Sequence, residues 1–188
     1  SVNKTNDGGY IITGWTFSFG PAAVGNVFLV KTDSAGNQQW YKTFGGTDVD
    51  RGYEVEQTTD GGFIVTGYTS SSGAGLDDML LIKTDSVGNE IWTKTFGGTG
   101  RDYGYSVQQT DDGGFIIAGY TLSFGAGGDD LWLVKTDNNG NQMWSKTFGG
   151  TSSDIAYSVI ETNDGGYVVT GHTLSFGVGV HDVWLLKI

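Results

Sequence analysis

The chain has 188 residues, a formal net charge of −11 and a sequence pI near 4.3, and it contains no cysteine, which excludes a disulfide framework, a thiolate metal site and a thiol nucleophile. Aromatics reach 13% against a charged fraction of only 16%, so the composition is not that of a disordered segment. An acidic surface repels phosphate backbones, and no apolar run approaches the ~20 residues of a membrane helix, so neither nucleic acid nor membrane insertion is expected.

Read in chain order, Ser1-Val2 matches the end of a strand, because "YSV" recurs at 105–107 and 157–159. The tight-turn signal "DGG" begins at Asp7 and returns at Asp60, Asp112 and Asp164, spaced 53, 52 and 52. The strand "FLVK" ends at Lys31, and its counterparts end at Lys83, Lys135 and Lys187, 52 apart each time. The single extra residue falls in "SFGPAAVGN" (18–26), which reads as a surface loop because insertions collect there. "TFGG" begins at Thr43, Thr95 and Thr147, again 52 apart.

The third copy shows the unit in full. Strands are expected at 103–110, 115–121, 131–136 and 142–148, from runs of β-branched and aromatic residues. Between them lie the tight turn "DDGG", the longer glycine-rich loop "LSFGAGGDD" (122–130), the tight turn "DNNGN" (137–141) and the exit "GGTSSD" (149–154). No segment carries a sustained helical period, so no helix is expected. The repeats run approximately 1–50, 51–102, 103–154 and 155–188, about 3.6 copies of a ~52-residue unit with the last one incomplete.

Four strands in some 50 residues, repeated, point to an all-β chain of β-propeller blades. The unit resembles kelch-like blades, and "KTDxxGNxxW" resembles a stretch of quinoprotein-type blades. The whole pattern, "DGGY…KTDxxGNxxWxKTFGG", resembles repeats of secreted or surface proteins of bacteria and archaea. That resemblance implies a propeller fold and an extracellular setting. The chain begins at Ser1 and its fourth copy stops after a third strand at Lys187-Ile188, so a segment of a larger array or a ring completed elsewhere is expected. The rivals are a closed four-bladed ring and two chains sharing one ring of about eight blades.

Trp40, Trp92 and Trp144 share a strand face with Lys42, Lys94, Lys146 and with Phe44, Phe96, Phe148, since alternate residues point the same way. The stripe reads as packing between blades, with a carbohydrate-stacking platform as the rival. The turns at Asp33, Asp85 and Asp137 lack the recurring acid of a calcium loop and read as hairpin chemistry.

In a four-stranded meander alternate connections fall on opposite edges, so the tight turns share one face and the long loops the other. The long-loop face carries Asp50, Asp102 and Asp154, and also Asp78, Asp130 and Asp182, replaced by Asn26 in the first copy. Phe19, Phe124 and Phe176 stand in the loops, with Ser72 in the second copy. These nine Asp and Phe residues are the candidate ligand-binding set, since rigidly held loops are where binding concentrates. The competing reading is that each Asp locks its own loop through backbone N–H groups. No cofactor is expected; calcium is the one ion the loop carboxylates suit.

His172 and His181, both in the last copy, have no fixed partner from which a triad or zinc site could be argued. Catalysis therefore has little support. The expected role is a non-enzymatic extracellular scaffold, adhesion or recognition module that binds protein or glycan on the long-loop face and can self-associate. The alternatives are a lectin-like sugar binder and, last, a hydrolase or quinoprotein fragment. The sequon "NKT" at Asn3 and the resemblance both point to a secreted or cell-surface location.

Overall fold

The computed structural model describes residues 1–20 and 24–188; Pro21, Ala22 and Ala23 of the expected insertion loop lie outside the described residues. Among the described residues there is no helix, and fifteen strands form four antiparallel meander sheets. The first sheet holds β1 (Val2–Lys4), β2 (Tyr10–Thr16), β3 (Asn26–Thr32) and β4 (Gln38–Phe44). The second holds β5 (Asp50–Gln57), β6 (Phe63–Thr69), β7 (Asp78–Thr84) and β8 (Glu90–Phe96). The third holds β9 (Asp102–Gln109), β10 (Phe115–Thr121), β11 (Asp130–Thr136) and β12 (Gln142–Phe148). The fourth holds β13 (Asp154–Glu161), β14 (Tyr167–Thr173) and β15 (Asp182–Lys187). The strands expected in the third copy match β9 to β12 to within one residue at each end.

The sheets stack face to face in chain order. Apolar residues on both faces of a strand therefore find cover, and β6, β7, β10 and β11 are buried at every position. Ile11, Val27 and Leu29 meet Val55, Phe63 and Val65 between the first two sheets. Ile64, Met79 and Leu81 meet Val107, Phe115 and Ile117 at the next junction, and Ile116, Leu131 and Leu133 meet Val159, Tyr167 and Val169 at the last. The outer strands extend each junction: Trp40 lies edge-on to Phe63 at 5.8 Å and Trp92 to Phe115 at 5.9 Å, and Trp144 is tilted against Tyr167 at 5.8 Å. Lys42 and Lys94 reach the following tight turn, donating to Asn89 Oδ1 at 3.0 Å and Asn141 Oδ1 at 3.2 Å. The Trp-Lys-Phe stripe thus packs one sheet against the next.

Each complete first strand carries a β-bulge. Gly52 pairs with Gly67 and Glu54 with Thr66, leaving Tyr53 as the extra residue; Tyr105 and Tyr157 occupy the same position in the third and fourth sheets. The bulge brings the first strand against the second so closely that a Cβ on Gly67, Gly119 or Gly171 would lie 1.8–1.9 Å from a carbonyl oxygen of Arg51, Tyr103 or Ile155. Only glycine fits there, which explains the recurring glycine of the second strand.

The tight-turn face is fastened by a lysine. Lys83 is buried near the end of β7, donates to Thr84 O at 2.8 Å and pairs with Asp60 at 3.0 Å. Asp60 also accepts Thr58 Oγ1 and the Gly62 N–H, so one carboxylate holds the turn to both neighbouring strands. Lys31–Asp7, Lys135–Asp112 and Lys187–Asp164 repeat the device at 2.7, 2.9 and 2.7 Å.

Candidate functional site

On the long-loop face the six expected carboxylates divide into two structural kinds. Asp50, Asp102 and Asp154 open β5, β9 and β13 and are fully buried. Asp102 accepts the hydroxyls of Thr121 and Ser123 and the Gly98 N–H, the last two at 2.6 and 2.9 Å. Asp154 repeats this with Thr173, Ser175 and the Gly150 N–H. Asp50 accepts Ser71 Oγ and the Gly46 N–H, both at 2.8 Å. Each of these side chains thereby ties the "GG" exit of one sheet to the first long loop of the next.

Asp78, Asp130 and Asp182 instead hold their own loops, through Gly75 N at 3.3 Å, Ala126 N at 2.9 Å and Gly179 N at 3.1 Å. Asn26, in the same position, donates to Val24 O at 2.9 Å. The two kinds converge. A Cβ on Gly97 would lie 2.2 Å from Asp78 Oδ1 and 2.7 Å from Asp102 Oδ2, and Gly149 sits in the same way between Asp130 and Asp154. Burial raises the carboxyls of Asp78 and Asp130, and the neighbouring Asp102 and Asp154 charges add to the effect. Asp154 goes the other way: burial works against its ionisation, but hydrogen bonds from Ser175, Thr173 and Gly150 outweigh it and hold the carboxyl below its ordinary value. Among the described residues no three His, Asp or Glu side chains come together as a metal-binding group.

Phe19, Phe124 and Phe176 are half-exposed loop residues, each resting on a third-strand aromatic: Phe28 at 5.8 Å, Trp132 at 5.5 Å and Trp184 at 5.5 Å. The second sheet lacks both partners, having Ser72 and Leu80 instead. There a cavity of 240 Å³ opens, lined by Ser72, Leu80, Phe44, Asp50, Ser71 and Thr93 among others. Asp50 Oδ1 accepts no hydrogen bond from a described residue, whereas the same oxygens of Asp102 and Asp154 take threonine hydroxyls. The paired absence of Phe and of an aromatic third-strand partner was visible in the sequence, but only knowledge of the contact between the two positions makes it a cavity.

A second region escapes sequence reasoning. The bulges direct Tyr53, Tyr105 and Tyr157 into one row, with ring separations of 5.1 and 5.6 Å. Tyr68 and Tyr103 stack beside them at 4.3 Å, and His172 and His181 extend the row beyond Tyr157. Arg51 lies over Trp15 at 4.7 Å, while Asp77 accepts Tyr103 Oη at 2.7 Å and pairs with Arg101 at 3.3 Å. Burial, reinforced by the neighbouring phenols Tyr53 and Tyr157, pushes Tyr105 up to about 12, so its hydroxyl stays protonated at neutral pH. The recurrence of Tyr every 52 residues was the available signal; the bulge that aims it was not.

No family model matches the chain. In an alignment 171 positions long that covers 78% of this chain and 18% of the other, the chain is 25% identical to the regulatory protein FlaEY of Caulobacter vibrioides. Among solved structures, the chain is similar to a protein of unknown function from Bacteroides caccae, with a TM-score of 0.53 and 12% identity, covering 90% of this chain and 51% of the other. At that identity the likeness concerns the fold alone.

Proposed function

We propose that the four sheets are β-propeller blades and that the chain is a non-enzymatic recognition module whose contact surface is the long-loop face. One observation carries this reading: the buried carboxylates bolt neighbouring loops together, while the Phe rings they position stay half-exposed. Such a face is pre-organised, so a partner binds without the cost of ordering loops. FlaEY, named as a regulatory protein, shares a stretch that is a small part of its own length, which fits a module within larger architectures. An extracellular scaffold or adhesion role rests on the sequence resemblance. The sequon at Asn3 adds nothing to it, because Asn3 Nδ2 donates to Val55 O at 2.6 Å in the packing of the first two sheets.

A lectin-like reading is favoured by the cavity at Ser72. Its volume of 240 Å³ suits a single sugar ring, Leu80 and Phe44 supply an apolar wall, and Ser71 and Thr93 supply polar contacts. A glycan array probed with the wild type and with Ser72→Phe separates the two readings. Specific glycan signals that disappear in the variant support the lectin. A blank glycan array, with protein partners captured equally by both forms, supports the scaffold. Protein binding that persists undiminished after the exposed rings of Phe124 and Phe176 are truncated to Ala contradicts the long-loop face as the contact surface of the scaffold.

A further inference from the structure

The cavity at Ser72 stands where the other sheets carry aromatic rings. In the first sheet Phe19, Phe28 and Tyr41 form one cluster, with ring centroids 5.3–5.8 Å apart. The same three positions in the second sheet are Ser72, Leu80 and Thr93, and all three line the 240 Å³ cavity. In the third sheet they are Phe124, Trp132 and Ser145, with the two rings 5.5 Å apart, and in the fourth Phe176 meets Trp184 at the same distance. The second sheet alone brings no ring to this place. The loop there is otherwise held as in the third sheet: Ser71 Oγ donates to Asp50 at 2.8 Å, as Ser123 Oγ donates to Asp102 at 2.6 Å. The second sheet also differs in charge. Glu90 lines the cavity and is exposed, whereas the first and third sheets have the neutral Gln38 and Gln142 at that position.

We infer that this cavity is a binding site for a guest aromatic ring that carries a cationic amine. The ring takes the place that a phenylalanine of the chain's own loop holds in the other sheets, against Leu80 and Phe44, and so restores the missing aromatic contact. The ammonium group faces Glu90, the one charge that the second sheet adds, and this carboxylate selects a cation over a neutral or anionic ring. The cavity is smaller than the space a drug-sized ligand needs, so it admits one ring with a short arm. A free arylalkylamine and the N-terminal phenylalanine of a peptide both present that ring and that charge. A neutral sugar offers Glu90 no cation and brings no aromatic face to the place of Phe124. This inference goes beyond the recognition reading and does not rest on it, since the cavity stands whether or not the exposed Phe rings meet a partner.

Heteronuclear NMR titrations of the 188-residue chain with phenethylamine, and with a tripeptide amide that begins with an unblocked phenylalanine, test it up to about 20 mM, the range in which a ligand of this size registers. Saturable shifts confined to the amides around Ser71, Ser72, Leu80, Glu90 and Thr93 are expected. They vanish in Ser72→Phe, whose own ring takes the guest's place as Phe124 does in the third sheet, while the rest of that variant's spectrum stays native. Glu90→Gln weakens either probe about threefold, the worth of an exposed ion pair. Tighter binding of phenethylamine assigns a free amine as the source, and tripeptide binding that is as tight or tighter assigns a chain terminus. Four results overturn the proposal: no saturable shift with either probe, shifts that survive Ser72→Phe, equal affinity for N-acetylated phenethylamine, or a methyl galactoside that binds the cavity more tightly than both amines.

Discussion

The residues that fix this molecule's shape are its ionised side chains. Asp112 is held down to about 2 by the hydrogen bond from Thr110, with Lys135 and the Gly114 N–H adding to it against the opposing effect of burial. Asp7 and Asp164 lie well below the usual carboxylate range, through the hydrogen bonds from Lys31 and Lys187 first. An unfolded Asp takes its proton near pH 4, so stability from these pairs is complete above that pH and is lost as pH falls toward the folded values. Asp78 and Asp130, raised by burial, have the opposite sign: their protonation favours the folded state as pH falls through their raised values. The melting temperature should therefore pass through a maximum in mild acid and then fall steeply toward pH 2. In Asp112→Asn the neutral-pH melting temperature should drop and the acid limb flatten. Asp102→Asn leaves a mismatched donor against Thr121, Ser123 and Gly98 at a fully buried site, and should cost about 1–3 kcal/mol in chemical denaturation.

At the scale of the element, the recurring device is the bulge and the glycine opposite it. Gly119→Ala would put a methyl 1.8 Å from Tyr103 O, which β9 and β10 can relieve only by separating. A loss of about 3 kcal/mol is expected, large for a single methyl, and thermal unfolding measures it. The strands themselves were legible because each is bounded by turn residues that return every 52 positions. The packing role of the Trp-Lys-Phe stripe was legible because one strand face repeats. The bulges were not: a residue that pairs with nothing looks in sequence like any other strand residue. The Lys83–Asp60 fastening was equally hidden, since its partners are separated along the chain and meet only once the second and third strands have formed a hairpin. At the candidate site the sequence located the Asp and Phe positions on one face, and it could not tell Asp102, with both oxygens satisfied, from Asp50, whose buried Oδ1 accepts no hydrogen bond from a described residue.

At the scale of the whole molecule, a burial gradient runs along the stack. The middle sheets are covered on both faces, and β2 and β15 are covered on one, with alternating exposure along their length. Everything argued for the contact face depends on the sheets stacking in chain order, each covering the one before. Amide hydrogen exchange on the 188-residue chain tests that arrangement most directly. Slowest exchange in β6, β7, β10 and β11, with the fastest strand exchange in β1 and β15, is the predicted pattern. Protection of β15 as strong as that of β11, or uniform protection through all four sheets, would contradict it.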